Sequence, residues 1–508
     1  MNHWKLAGTT AIAALLAGNA ALAEITPEEV WQNWQDMSSS YGQAMTATSA
    51  VRDGDTLIVT GLNVAQDQDG MTVDLTIDEV NFTDNGDGTV EITMSDAYTV
   101  DMTMPAADGV EGETPTNLTI AVSQPDMVTT VSGTPEETAY EVDAPTITIK
   151  LDSIEGVDAA AVDAMVEATM TAVSGNYSVA GPADAKVIDV AFDAESIAIG
   201  VAAKDPESAS DFQMTGTVAD LGVYYMLDMG GLSLMGDNVA AALKAGTAIE
   251  GGFDRGLMDL AINVTEATGL TKITATSQRG SMAFAMDAAG LVYEITGEGT
   301  ALTMSGPEIP FPEVKVNYGE IAATLSMPLL ASPDITDFTF LTKIVDFSVS
   351  QDLWGMIDPG NILPHDPATV IIDTKGTAKL TSDLVDETAM AALGETAPGE
   401  IYSLDVTELR AKAAGAELTG SGAFTFDNND LATFGGMPTP TGKLDLKLVG
   451  GNVLLDKLVA MGIMTDDDAN GARMMISMFA NPGASPEELT STLEFKDKGF
   501  YANGQRLQ

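Results

Sequence analysis

Alternation of apolar residues with threonine and aspartate is the feature that most constrains the fold of this chain. In residues 71–78, methionine, valine, leucine and isoleucine occupy every second position, and threonine and aspartate lie between them. Successive side chains of a β-strand point to opposite faces, so this period of two predicts a strand with one buried and one solvated face. Residues 90–94 and 98–104 repeat the pattern after a Gly- and Asp-rich turn, which predicts an antiparallel meander.

The same alternation recurs along most of the chain. Hydrophobic residues make up 45% of the sequence and the mean hydropathy is +0.11, a composition too apolar for a chain that stays disordered. The sequence therefore predicts a mainly β fold of the α+β type, with elongated, twisted, largely antiparallel sheets and a few covering helices. The further strand-like segments are residues 118–122, 147–151, 187–192, 257–264, 273–275, 291–295 and 444–448.

A helix is predicted close to the N-terminus. Thr26 is placed to cap a helix that begins at Pro27, and Glu29 completes a capping box. Trp31 and Trp34 follow at helical spacing and form one apolar face. We expect this amphipathic helix to lie on the first part of a sheet.

Helical spacing of apolar residues also predicts helices further along the chain. A pair is expected at about residues 452–480, divided near Gly462 and followed by an Asn-Pro-Gly stop. Residues 159–173 show a similar apolar helical face, and residues 239–243 predict a short helical turn.

The first 23 residues have the organisation of a secretory signal peptide. Lys5 precedes an apolar stretch at residues 6–22, which ends in the small-residue site Ala21-Leu22-Ala23. No later apolar run approaches the ~20 residues that a membrane-spanning helix needs. The sequence has no cysteine for disulfides or lipid attachment. These features predict cleavage after Ala23 and a soluble, periplasmic protein.

The charge balance is strongly acidic. The chain has 75 Asp and Glu residues and 22 Lys and Arg residues. Removal of Lys5 with the leader leaves 21 basic residues and a net charge of −54. Nucleic acid and anionic membrane surfaces are therefore excluded as favourable partners. Solubility in a salty medium and cation binding both account for such acidity, and the former is the simpler explanation.

A cluster of three prolines at residues 307–312 predicts a boundary, because proline does not fit a central strand or a helix interior. We expect a β-rich N-terminal section at residues 24–306. A β-rich C-terminal section that contains the helical pair is expected at residues 307–508.

His365 is the single histidine that remains after cleavage, because His3 belongs to the leader. Asp366 follows it directly, but adjacent residues of an extended segment point in opposite directions. The chain also has no G-x-S-x-G sequence. We interpret His365 as part of an ordinary loop between two prolines, and we predict no catalytic residues. One histidine and no cysteine also exclude a catalytic zinc site.

Asp466, Asp468 and Asn470 match the first half of an EF-hand calcium loop. The twelfth position, where a bidentate Glu is required, is Ser477. A second interpretation needs no metal: Thr465 caps the last helix and Asp468 completes a capping box. Calcium is thus a weak candidate at these residues, and no other cofactor is predicted.

Methionine is abundant, with 27 residues. In an exported protein Met102, Met104 and the pair Met474-Met475 suggest soft ligands for copper. Filling of apolar cores is the simpler interpretation, since methionine packs irregular or adaptable apolar surfaces.

The leader, the Trp31-x-x-Trp34 helix, Leu353-Trp354 leading into Ile362-Leu363-Pro364, and the closing segment 442–507 together resemble a family of uncharacterised bacterial envelope proteins, domain of unknown function 2125. The resemblance implies no reaction and no functional residues.

The sequence predicts a non-enzymatic binding or scaffold protein of the periplasm. If one sheet face stays uncovered, its apolar side chains would line a groove suited to lipid or to a hydrophobic polypeptide. Two alternatives stay open: an outer-membrane β-barrel, and a hydrolase that depends on calcium or carboxylates. The partners would be lipid or another envelope protein, and no nucleic acid.

Overall fold

The computed structural model describes residues 25–40, 42–68, 70–105, 115–156, 163–182, 185–205, 210–230, 238–394 and 396–508. The proposed signal peptide lies outside these residues. The chain divides into two compact units. Unit 1 comprises Met1–Val157 and Thr171–Pro182, and unit 2 comprises Asp158–Met170 and Ala183–Gln508. The structure is mainly β, with antiparallel pairing between neighbouring strands, as predicted.

Unit 1 is built on long, alternating strands. β3 and β4 pair over almost their whole lengths, and β6, β7 and β9 continue the antiparallel order. The strands are β1 (Ala44–Thr46), β2 (Ser49–Asp53), β3 (Thr56–Gln68), β4 (Met71–Asp84), β5 (Val90–Met94), β6 (Ala97–Met104), β7 (Thr116–Ser123), β8 (Val128–Gly133) and β9 (Thr138–Glu155). β10 (Asp163–Ala180) runs across the division between the units.

Helix α1 (Pro27–Ser40) covers the sheet of unit 1. Thr26 caps it, since the amide of Glu29 donates to Thr26 Oγ1 at 3.3 Å and the carboxylate of Glu29 accepts from the Thr26 amide at 2.9 Å. Trp31 and Trp34 pack on Phe82 of β4, which is 0% exposed. The predicted cap and the predicted apolar face are both confirmed.

Unit 2 contains the remaining strands, and from β17 to β23 each strand pairs with the next in sequence. The strands are β11 (Val187–Asp205), β12 (Ser210–Asp228), β13 (Ala248–Arg255), β14 (Met258–Glu266), β15 (Gly269–Ser277), β16 (Arg279–Asp287), β17 (Gly290–Ser305), β18 (Val314–Met327), β19 (Thr336–Val349), β20 (Ala368–Leu380), β21 (Gly399–Ala413), β22 (Ala416–Asp427), β23 (Thr439–Val449), β24 (Asn481–Pro482), β25 (Glu488–Lys496), β26 (Gly499–Ala502) and β27 (Gln505–Arg506).

The proline cluster lies inside unit 2. Residues 307–312 connect β17 to β18, and these two strands pair directly, with Met304 opposite Val314. The three prolines therefore form a turn within one sheet, whereas the chain divides into its compact units near residues 157–183.

Five helices are described in unit 2. They are α2 (Val239–Lys244), α3 (Gln351–Ile357), α4 (Glu387–Leu393), α5 (Gly451–Ala460) and α6 (Asp466–Phe479). The predicted helical pair corresponds to α5 and α6, and the predicted turn at residues 239–243 corresponds to α2. The helix predicted at residues 159–173 is wrong over its described part, because residues 163–173 belong to β10. None of the helices in the described ranges is long and apolar enough to cross a membrane.

Candidate functional site

Strand register gathers the apolar residues of unit 2 on one face of its sheet. Directly paired residues of antiparallel strands point to the same side, so consecutive pairings trace rows across the sheet. We call the side defined by the three rows below the apolar face. The first row is Phe192, Val223, Phe253, Met282, Ile295, Ala323, Thr342, Ile372, Leu409, Gly420, Leu446 and Ser491.

Two further rows run beside the first. One is Val190, Tyr225, Gly251, Phe284, Tyr293, Leu325, Phe340, Thr374, Val406, Gly422, Leu444, Leu493 and Ala502. The other is Gly280, Gly297, Ile321, Ile344, Val370, Ala411, Leu418, Leu448 and Leu489. None of the three rows contains a charged residue.

Charged residues occupy the opposite, polar face. Lys343 alternates with the apolar-face residues of β19, and its Nζ lies 2.7 Å from Oε1 of Glu320 on β18. Arg279 and Glu298 pair in the same way across β16 and β17, at 2.6 Å. The alternation of the sequence thus separates charge from apolar surface across the thickness of one sheet.

Carboxylates are crowded on this polar face. Burial raises the pKa of Glu250, and the neighbouring charges of Asp189 and Asp287 raise it further. Burial likewise raises the pKa of Asp189. Burial disfavours the charged form of both carboxyls, and like charges add to this effect at Glu250.

The apolar face is accessible to solvent. Seven large side chains of the three rows are 36–43% exposed: Val223, Tyr225, Tyr293, Phe340, Ile344, Val370 and Ile372. A hollow of about 210 Å³ lies on this face and is lined by Ile344, Phe347, Ala368 and Val370. A core closed between two layers would bury such residues almost completely, whereas here they remain half-exposed.

The helices of unit 2 explain why the middle of this face stays open. Leu243 of α2 packs with Leu329 and Leu330, beyond the end of β18. α3 follows the end of β19, and α5 follows the end of β23. These helices therefore join strand ends, whereas α1 of unit 1 lies on the buried cluster around Phe82.

A larger depression of about 500 Å³ lies mainly on the polar face, around Thr407, Thr419 and Asp445. Hydrogen bonds from Lys443 and Thr492, at 2.7 Å each, hold the pKa of Asp445 below its usual range. The carboxylate is thus already satisfied by its neighbours, and we favour the apolar face as the candidate site.

His365 is held in the loop that follows α3. Its ring stacks on Trp354 with centroids 4.3 Å apart, and its Nε2 lies 3.3 Å from Oδ2 of Asp358. The other ring nitrogen, Nδ1, lies 3.1 Å from the side-chain nitrogen Nε2 of Gln351. Asp366, the neighbour in sequence, instead accepts a hydrogen bond from the amide of Gly415. These contacts fix the loop between α3 and β20.

Sequence analysis missed Asp358, which is 1% exposed. Its Oδ2 accepts a hydrogen bond from the amide of Leu363 at 2.7 Å, so the carboxylate closes the turn after α3. The Asp358-Pro359-Gly360 sequence was the available signal, because aspartate before a Pro-Gly turn commonly bonds to the backbone of that turn.

The three residues proposed as calcium ligands, Asp466, Asp468 and Asn470, lie in the first turn and a half of α6. Thr465 Oγ1 accepts from the amide of Asp468 at 3.1 Å, and the Asp468 carboxylate accepts from the Thr465 amide at 3.3 Å. Asn470 accepts from Arg473 at 3.2 Å. The capping box is therefore confirmed. Within the described residues, no group of three or more His, Asp or Glu side chains is arranged to hold a metal ion.

The methionine pairs differ from the expectation of core filling. Met474 and Met475 of α6 are 68% and 64% exposed, because α6 fully buries only Ala469. Met104 is 38% exposed at the end of β6. The core interpretation is therefore wrong for the pair on α6.

Comparison with protein families gave one match. Residues 259–504 match a family described as an uncharacterized protein conserved in bacteria, DUF2125. The match includes Leu353, Trp354 and the segment 442–504, but not the leader or the Trp31-x-x-Trp34 helix. No curated protein matches the chain, and no solved structure does.

Proposed function

We propose that this chain, whose residues 259–504 match that uncharacterised bacterial family, is an exported, non-enzymatic protein of the cell envelope that binds lipid acyl chains on the apolar face of unit 2. The observation that carries the proposal is the uncharged, half-exposed apolar face. Apolar surface gains roughly 25 cal/mol per Å² when it is removed from water, so an accessible face of this kind favours an apolar ligand.

The chemistry of the face favours acyl chains over a polypeptide. Within the three rows, hydroxyl groups are found only at Thr342, Thr374 and Ser491 and on the tyrosines. A polypeptide laid on these side chains would bury backbone amides and carbonyls without partners, which costs free energy for each group. An acyl chain has no such groups.

The proposed location rests on residues 1–23, whose basic start, apolar stretch and Ala-Leu-Ala site are typical of an exported precursor. Intact mass of protein recovered from the periplasm tests this part separately. A mature N-terminus at Glu24 is expected, and retention of residues 1–23 in a cytoplasmic fraction would contradict export.

Binding is tested with a fluorescent fatty acid and paired variants. Phe340→Asp places a charge in the middle of the apolar face, and Thr339→Asp places the same charge on the opposite face of β19. Loss of a phenylalanine contact worth about 1.5–3 kcal/mol predicts a tenfold or greater loss of affinity for the first variant. The second variant should bind like the wild type.

Lipid extraction of the protein purified from its own periplasm gives the complementary result. Copurifying lipid supports the proposal. Absence of binding in the wild type, equal losses in the two variants, or copurification of a peptide in place of lipid would contradict it.

A further inference from the structure

The rows of the apolar face are far longer than one lipid tail. The first row passes through twelve strands, from Phe192 on β11 to Ser491 on β25, by direct pairing at every step. Neighbouring strands lie about 4.8 Å apart, so the row measures about 50 Å along the sheet. The hydrocarbon core of a bilayer is about 30 Å thick, so the tails of one leaflet span about 15 Å.

No charged side chain interrupts the first row, which we also call the path. Its smallest members are Ala323, which lies between Ile295 and the uncharged Thr342, and Gly420, which lies between two leucines. At Gly420 a side chain would meet Leu446, whose Cδ2 lies 2.6 Å from the position of an added Cβ. The leucine therefore lies over the glycine and keeps the surface apolar at this point.

Accessible positions are distributed along the path. Val223 on β12 is 43% exposed, Tyr293 on β17 is 36% exposed, and Ile372 on β20 is 38% exposed. Val223 and Ile372 are six strand steps apart in the first row, a separation of about 30 Å. A single acyl chain cannot cover both positions.

One end of the path is closed by a helix. Ser491, the last residue of the first row, donates its hydroxyl to the carbonyl of Phe479 at the end of α6. Asn503 donates to the same carbonyl at 2.8 Å. These bonds fix α6 where the row ends. The exposed large residues of the first row, Val223 and Ile372, mark the part between β12 and β20 as open.

From this continuity we infer that the apolar face binds more than one acyl chain at once, placed one after another across the strands of unit 2, and not one chain in a single pocket. The inference rests on the proposed function and specifies its ligand capacity. The part of the row from β12 to β20 measures about 30 Å, and one leaflet's tails span about 15 Å, so we predict about two chains for the wild type.

Native mass spectrometry of the full chain with monoolein measures the capacity directly. Monoolein has one acyl chain and no charge, so the acidic protein does not repel it. We expect a series of bound states that reaches about two molecules. Val223→Asp and Ile372→Asp should each remove part of this capacity and leave the rest, and the double variant should remove more than either.

Thr296→Asp on β17 and Thr339→Asp on β19 are matched controls, because each lies on the polar face next to a residue of the rows, Ile295 or Phe340. Both should retain the full capacity. A maximum of one bound molecule, abolished by either apolar-face variant alone, would overturn the inference and leave the proposed function intact. No bound monoolein in the folded wild type would count against the proposed function itself. Circular dichroism of each variant identifies any that fail to fold, and Val223→Thr and Ile372→Thr replace those.

Discussion

The carboxylate of Asp358 and the imidazole of His365 form a buried contact, with Nε2 of the histidine 3.3 Å from Oδ2 of the aspartate. Burial by itself would raise the pKa of Asp358. Hydrogen bonds from the amides of Ile362 and Leu363 and from His365 outweigh this effect and hold the pKa below its usual range. The ionised carboxylate therefore stabilises the loop between α3 and β20.

We expect Asp358→Asn to lower the free energy of unfolding at pH 7, by an amount that shrinks at acidic pH. A depressed native pKa stabilises the fold above the unfolded-state pKa of about 3.9, and this contribution is lost as the pH falls through the native value. Urea unfolding of variant and wild type at pH 7 and below pH ~4 measures the difference. Asp352→Asn, at an exposed position of α3, is the control. A difference that does not change with pH would refute this electrostatic account.

The contact of α1 with its sheet predicts a large effect at Phe82. This side chain is 0% exposed, and its ring lies 5.1 Å from Trp34 and 6.1 Å from Trp31 between centroids. Phe82→Ala should cost about 3–5 kcal/mol, because it removes buried surface and leaves a cavity. Phe340→Ala is the matched control, since Phe340 is 43% exposed. It should cost about 1 kcal/mol, less than a fully buried phenylalanine contributes. Similar losses in urea unfolding would show that α1 does not hold Phe82 in a tight core.

Sequence patterns predicted the helix start and the strands, which are specified by residues close together in the sequence. The Thr26, Pro27 and Glu29 signals located the start of α1, and alternation located the strands, because both depend on residues within a few positions of each other. Residues 163–173 are an exception. Their apolar spacing fits a helix, but the chain there is extended, since tertiary context overrides a weak local preference.

The candidate site depends on register, which the sequence does not specify over long distances. Alternation showed that each strand has an apolar side, but only the pairings align those sides into rows from Phe192 to Ser491. Whether a second layer covers the rows depends on where the helices pack. The partner of His365 was missed for a similar reason, because a turn brings Asp358 to it across seven residues.

The cap of α6 gives a test of the calcium hypothesis. Thr465→Ala removes the acceptor for the Asp468 amide and should cost about 1 kcal/mol. Asp467→Ala, beside it in the first turn, leaves both capping bonds in place and should cost less. Thermal unfolding with excess calcium chloride and with chelator should give the same midpoint for the wild type. A rise with calcium that disappears in Asp466→Asn would establish a metal site in place of a simple cap.

Methionine oxidation provides a map of the apolar face without a labelled ligand. Met474 and Met475 are 68% and 64% exposed on α6, whereas Met282 is partly buried on the apolar face. Because oxidation follows exposure, mild peroxide should convert the two α6 methionines to sulfoxide first. Addition of monoolein should slow oxidation of Met282 and leave Met474 and Met475 unchanged, as measured by peptide mass spectrometry. Equal slowing at all three positions would indicate scavenging of peroxide by the additive. An unchanged rate at Met282 at saturating monoolein would show that the acyl chain lies elsewhere.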